Sequence, residues 1–246
     1  MNNYEKLEGM VAATFTPLDE NGDVNLSVID KYADWIASTP IKGIFVCGTT
    51  GEFSSLTIDE RKLILEKWLV SARKRFKVIA HVGSNCQRSA MELARHAAQV
   101  GADAIASIAP SFFKPGTVDE LVDFFAPICH SAAGLPFYYY NMPSITGVNL
   151  PVDKFLVEGK KKIPNLVGTK FTHNNLMEMG VCIELEQHRF EVLHGYDEIL
   201  ISGLAMGAVA GVGSTYNYIP NVYQAIFDSM KTVSYTHLTL PTILRV

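Results

Sequence analysis

The sequence predicts an α/β protein of the (β/α)8 TIM-barrel class, and three observations carry that expectation. Short apolar runs alternate with helix-patterned segments at intervals of roughly 20 to 35 residues, the rhythm of parallel strands joined by right-handed crossovers. Eight such runs fit within the 246 residues, which favours a closed barrel over an open doubly wound sheet. No G-x-G-x-x-G follows the first run, which weakens a dinucleotide-binding alternative. With 48% apolar and 19% charged residues, the composition suits one large globular domain.

Taken in order, residues 10–15 are rich in strand formers, and the Asn21-Gly22-Asp23 turn separates them from 26–36, where apolar residues recur at helical spacing. Residues 43–47 read as the second strand. The helix over 57–74 opens on Thr57-Ile58-Asp59-Glu60, in which Thr and Glu side chains cap each other's backbone N–H groups. Residues 78–82 precede a helix over about 89–100, and 104–108 precede one opened by a second capping box, Thr117-Val118-Asp119-Glu120. Residues 136–140 lead to a helix near 152–158. In the stretch 165–172, Leu166 and Val167 are apolar without alternation, as in a strand covered on both faces, and Lys170 closes that strand. A helix over 176–186, a strand at 190–194, a helix over 198–206, a strand at 208–212 and the start of a helix over 223–231 complete the series.

Residues 233–246 have no helical period and hold Pro241 in a Thr-rich apolar stretch. The barrel domain is therefore expected over 1–232, with 233–246 a disordered tail foreign to it; an ordered edge strand is the alternative.

Several function classes are disfavoured. A net charge of −4 offers no basic surface for nucleic acid, and no apolar run approaches the roughly 20 residues that cross a bilayer. The first residues lack the layout of a signal peptide, which points to the cytoplasm. Cys47, Cys86, Cys129 and Cys182 form no C-x-x-C pair and the histidines no H-x-H or H-E-x-x-H, so neither a disulfide framework nor a metal site is expected.

In TIM barrels chemistry gathers on the loops after the strands' C-terminal ends. A lysine at such an end is costly to bury as an ammonium ion, so Lys170 either faces solvent or is used. Gly48-Thr49-Thr50-Gly51-Glu52 follows the second strand; its backbone N–H groups and hydroxyls suit an anion, and it reads equally as a tight turn. In Tyr138-Tyr139-Tyr140-Asn141-Met142-Pro143 alternation turns at least one phenol inward, as a reactive group or as a buried hydroxyl with a partner. Asp197 and Glu198, in His194-Gly195-Tyr196-Asp197-Glu198, either favour a helix dipole or receive hydroxyl donors from a polyol. Gly211-Val212-Gly213-Ser214-Thr215 lets a ligand approach the backbone closely. The lysine run 160–162 reads as a solvated face.

Together, an anion-binding turn, an inward tyrosine and a strand-end lysine are the parts needed for imine chemistry on a 2-keto acid. The turn takes the carboxylate, the amine attacks the ketone, and the protonated imine becomes an electron sink for the adjacent carbon–carbon bond. An ordinary ammonium with pKa about 10.4 is free amine only about once in 2,500 molecules at pH 7, so the chemistry needs a water-poor seat such as Leu166, Val167 and Phe171 suggest.

Four motifs in order, Gly48-Thr49-Thr50-Gly51-Glu52, Tyr140-Asn141-Met142-Pro143, Gly168-Thr169-Lys170 and Gly211-Val212-Gly213-Ser214, resemble those of the pyruvate-dependent class I aldolases, the family of dihydrodipicolinate synthases and N-acetylneuraminate lyases, over residues 7–230. The resemblance implies that Lys170 is the Schiff-base lysine, Tyr140 the acid/base tyrosine, Thr49 and Thr50 the carboxylate pair with Thr50 in the catalytic set, and Thr172 a neighbour of the substrate's 4-hydroxyl. Ile145 stands where synthases typically carry an arginine for a second carboxylate. Gly195, Asp197, Glu198 and Ser214 resemble the residues with which sialic acid lyases hold a polyhydroxyl tail. The implied reaction is reversible cleavage of N-acetylneuraminate to pyruvate and N-acetylmannosamine, without metal or dissociable cofactor, in a homo-oligomer, a tetramer by resemblance. Another 2-keto acid aldolase, such as a synthase or a 2-keto-3-deoxy sugar acid aldolase, is the nearest alternative, and a non-catalytic sugar-acid sensor one of a different class.

Two departures accompany the resemblance. Pro110-Ser111-Phe112-Phe113 stands where many relatives place a tyrosine that reaches a neighbouring subunit. Since the family continues with a complete eighth helix and a helical C-terminal extension, the eighth helix is expected to be incomplete and the extension missing.

Overall fold

The computed structural model describes residues 4–237, and its strands close on themselves in sequence order. The eight are β1 (Gly9–Ala13), β2 (Gly43–Val46), β3 (Lys77–His81), β4 (Ala104–Ile108), β5 (Phe137–Asn141), β6 (Leu166–Phe171), β7 (Glu191–His194) and β8 (Ala210–Gly213). All pairings are parallel, and β8 returns to β1 with Val11 beside Val212. Around them run α1 (Ile29–Ala37), α2 (Ile58–Ala72), α3 (Gln87–Val100), α4 (Val118–His130), α5 (Pro143–Thr146), α6 (Val152–Lys162), α7 (Leu176–Glu184), α8 (Leu200–Ala205) and α9 (Pro220–His237). Among the described residues no helix is long and apolar enough to cross a membrane.

Alternation along the strands divides the core in two. Phe45, Ile79, Ala106, Ile108, Tyr138, Tyr140, Leu193 and Val212 fill the barrel interior, while Met10, Ile44, Val78, Ile105, Phe137, Tyr139 and Phe171 face the helix layer. Tyr139 therefore lies between the other two phenols in sequence but packs outward, 4.6 Å from Phe155 and 5.4 Å from Phe125 between ring centres. The lower interior is polar at one place. Tyr138 donates to Glu191 Oε2 at 2.7 Å, and burial pushes the Glu191 carboxyl above its ordinary range.

Side-chain caps set the starts of α2, α4 and α7. Thr57 caps α2 through Glu60 N–H at 3.2 Å, and the Glu60 carboxylate returns to Thr57 N–H at 2.7 Å, so that box is complete. The second box forms by half. Thr117 accepts from Glu120 N–H at 3.2 Å, but Glu120 Oε2 reaches one residue further back, to Gly116 N–H at 2.7 Å. The helix expected over 198–206 begins as a 3-10 turn at Asp197–Ile199 before α8, and the one-turn α5 after Pro143 had no periodic signal to announce it.

Helix α9 spans 18 residues and buries Tyr223 and Phe227 against the barrel. The helix runs on to His237, so 233–237 are helical where the sequence showed no period. The remainder of the expected tail, 238–246, lies outside the described residues.

Candidate active site

Strand β6 carries Lys170 into the barrel's upper interior. Lys170 is paired in register with Tyr140 of β5, so the two side chains project inward side by side. Only 5% of the lysine is exposed, and its Nζ stands 3.9 Å from the centre of the Tyr140 ring and 4.6 Å from that of Phe45. No ion pair among the described residues involves it. The solvent-facing alternative is therefore wrong: the amine sits in an aromatic, water-poor seat.

Beside it lies the turn after β2. Cys47 and Glu52 both adopt left-handed backbone, at φ 53° and 56°, and bracket the segment. Glu52 N–H reaches Thr49 O at 3.0 Å and Phe53 N–H reaches Gly48 O at 3.3 Å, closing it. A Cβ at Gly51 would lie 3.0 Å from Thr14 O and 3.2 Å from Cys47 Cα, so any larger residue would push that backbone apart by a few tenths of an ångström. Thr16 fastens it to the end of β1 through Gly51 O at 2.7 Å. From this turn the Thr49 hydroxyl lies 3.1 Å from the Tyr140 hydroxyl, which also donates to Met142 Sδ at 3.1 Å. Thr50 is half-buried in the same turn, and its hydroxyl makes no bond to Tyr140.

A second group forms over β6, β7 and β8. Thr172, fixed by its N–H on Asn141 O at 2.9 Å, carries a buried hydroxyl without a partner among the described residues. Gly195 lies against it so closely that a Cβ there would come within 1.9 Å of Thr172 Oγ1. Asp197 is buried, and rather than capping the following helix it accepts Thr215 N–H at 2.7 Å and the Thr215 hydroxyl. Glu198 is exposed; its own backbone N–H holds its carboxyl down, but partial burial and the Asp197 carboxylate outweigh this and raise it. Ser214 is half-buried, with its carbonyl held by Asn217 Nδ2 at 2.7 Å.

The expected residues thus divide into Lys170, Tyr140 and Thr49 in direct geometry, with Thr50 adjacent, and a Thr172–Gly195–Asp197–Ser214 group with Glu198 at its edge. Phe112 and Phe113, after β4, are 77% and 86% exposed. Sequence reasoning placed Met142, Thr215 and Asn217 only within motifs, without roles of their own, and passed over Phe45 and, under the turn, His81 and Arg61. His81 was within reach: it follows Ile79 by two residues at the end of an apolar run, so alternation alone turns it inward. Paired-histidine motifs carry no information about a single histidine on an inward phase.

The profile of the Dihydrodipicolinate synthetase family matches residues 6–238. The chain belongs to that family. The match runs past Met230, where the motif resemblance was read to end. An N-acetylneuraminate lyase of Gallus gallus is 47% identical over 222 residues, covering 89% of this chain and 72% of its own. The N-acetylneuraminate lyase of Homo sapiens is 45% identical over 218 residues, covering 87% and 68%. The solved N-acetylneuraminate lyase (sialic acid aldolase) of Aliivibrio salmonicida superposes with a TM-score of 0.91 at 39% identity, over 95% of this chain and 77% of that one.

Proposed function

We propose that this chain is an N-acetylneuraminate lyase, cleaving the sugar acid reversibly to pyruvate and N-acetylmannosamine through a Schiff base on Lys170. The observation that carries the reading is the juxtaposition of the amine of a buried Lys170 with the Tyr140 ring at 3.9 Å, the Tyr140 hydroxyl in turn bonded to Thr49 at 3.1 Å. Curated lyases at 45% and 47% identity support the substrate. Ile145, 59% exposed after β5, offers no cation for a second carboxylate and so speaks against the synthase reaction.

In this reading the turn 48–52 receives the substrate carboxylate with the Thr49 and Thr50 hydroxyls and backbone N–H groups. Lys170 Nζ attacks the C2 ketone and water leaves, giving a protonated imine. The C3–C4 bond then breaks with its electron pair drawn to the imine, the 4-hydroxyl loses its proton, and an aldehyde departs. The remaining enamine takes a proton at C3, and hydrolysis frees pyruvate and the amine. Tyr140 lies beside the nitrogen and carries these protons. Thr172, Gly195, Asp197, Glu198 and Ser214 accept and donate along the sugar's hydroxyls. The covalent imine is itself the electron sink, so the proposed cycle calls for no dissociable cofactor. A cytoplasmic homotetramer is proposed with it, the exposed Phe112 and Phe113 occupying the loop by which relatives' subunits meet.

Trapping tests the chemistry. Incubation with pyruvate and borohydride adds one reduced pyruvyl group to Lys170, read by peptide mass, and Lys170→Ala abolishes both adduct and turnover. An unlabelled Lys170 at saturating pyruvate refutes the mechanism, and turnover of aspartate semialdehyde plus pyruvate in preference to N-acetylneuraminate refutes the substrate.

A further inference from the structure

His81 is a buried titratable group to which the chemistry above gives no part. It closes β3, is 3% exposed, and its ring centre lies 5.8 Å from those of both Phe45 and Tyr140, the two rings that flank Lys170. Its protonation pattern is fixed by its neighbours. Ile108 N–H can only donate, and it points at Nε2 from 3.3 Å; the Cys47 carbonyl can only accept, and it lies 2.7 Å from Nδ1. Nδ1 therefore carries the proton and the ring is neutral. Burial above all, with Arg61 and Lys170 nearby, holds the imidazole well below its ordinary pKa, so that this form persists.

The acceptor matters more than the histidine. Cys47 is the left-handed residue at φ 53° from which the turn 48–52 departs, and a non-glycine residue in that conformation persists only where its surroundings hold it. The histidine is braced in its own turn. Arg61, on the first turn of α2, donates to His81 O at 2.7 Å and to Gly83 O at 2.8 Å, and a Cβ at Gly83 would stand 2.6 Å from His81 Nε2. A rigid helix thus fixes the backbone at 81–83, that backbone fixes the ring, and the ring fixes the Cys47 carbonyl.

We propose that His81 is a positioning residue for the carboxylate seat: its Nδ1–H sets the Cys47 kink and so aims Thr49 and Thr50 at a carboxylate bound beside Lys170. The inference rests on the reading of turn 48–52 as that seat. A displaced seat weakens the carboxylate's hold in ground and transition states alike, which raises KM and leaves kcat little changed.

Two near-isosteric variants separate the two ring contacts. His81→Asn places an N–H where Nδ1–H stands and gives up the contact to Ile108; His81→Gln does the reverse. With kcat normalised to the lysine trapped by pyruvate and borohydride, H81Q raises KM for N-acetylneuraminate about tenfold with kcat within about threefold of the parent, and H81N keeps KM within about threefold. An unchanged KM in H81Q, or an equal rise in both, overturns the proposal, because a merely structural histidine lowers the trapped fraction and the melting temperature without preferring one contact. Nitrogen NMR of the parent gives a test free of variants: Nδ1 is the protonated nitrogen across about pH 5 to 8, and an Nε2–H ring overturns the proposal. If the parent itself traps no pyruvate, the reading of the site fails first, and the seat that His81 is said to aim goes with it.

Discussion

Thr49 and Tyr140 meet at 3.1 Å across 91 residues of sequence, and that contact is where removal of one atom tests the proton path. Tyr140→Phe keeps the ring that flanks Lys170 and removes only the hydroxyl. Loss of a positioned acid/base costs about 10²–10⁴ in rate, so the phenylalanine enzyme is expected to form the pyruvate adduct with Lys170 yet fall in kcat by about that factor. Thr49→Val leaves the phenol in place, bonded to Met142 Sδ, and takes away an oriented partner together with one donor to the carboxylate. Its expected signature is a rise in KM for pyruvate with a smaller loss of kcat, measured in the condensation direction. At the far end, Gly195→Ala would force a methyl to within 1.9 Å of Thr172 Oγ1 and 2.9 Å of Phe171 O. Removing the hydroxyl by Thr172→Ala relieves the first clash but not the second, so the double variant recovers part of the melting temperature lost by G195A; full recovery or none contradicts the geometry.

At the scale of elements, how much was legible depended on whether a signal was periodic or a matter of neighbours. The eight strands were read from apolar runs, and every one lies within about three residues of its expected bounds. Period-two alternation turned at least one of the three phenols inward, the family resemblance singled out Tyr140, and the arrival of Lys170 at a strand end followed from an apolar run without alternation. What the sequence left open was pairing: that Tyr140 stands beside Lys170 is a fact of the β5–β6 register, which shifts between Phe137 and Tyr138. That Asp197 turns to Thr215 instead of capping α8 likewise depends on β7 and β8 lying side by side. The two capping boxes show the limit most directly, since identical T-x-D-E spellings gave a closed box at α2 and an open one at α4, where Gly116 offers its N–H to Glu120. Thr57→Ala therefore breaks both hydroxyl contacts to Glu60, at an expected cost of about 1 kcal/mol in denaturant unfolding. Glu120→Ala leaves the Thr117 cap standing and is expected to cost less than the corresponding Glu60→Ala; the reverse order would show that α4 closes its box in solution.

For the molecule as a whole, acid should loosen the barrel from histidine before it does so from surface carboxylates. His81 and His194 are buried, and burial depresses both imidazoles below the ordinary value. An unfolded histidine titrates near about 6.5, so below that pH the unfolded chain takes up two protons that the fold refuses. Their stabilising contribution is complete above the unfolded value and is lost as pH falls, by up to about 1.4 kcal/mol per pH unit for each, until the depressed folded values are reached. Glu191 works in the opposite sense, because burial raises its carboxyl; its contribution is present below the unfolded value of about 4.3 and is lost as pH rises through the folded one. With two imidazoles against one carboxyl, the expected net result of acidification from pH 6.5 to 5 is a fall in melting temperature. Glu191→Gln removes the opposing group and makes the acid loss steeper, whereas His194→Gln makes it shallower. A parent whose melting temperature does not fall between pH 6.5 and 5 would mean that at least one of the two imidazoles takes up its proton inside the fold; for His81, wedged between a carbonyl and an N–H, that would cost the Ile108 contact and leave a cation facing Arg61.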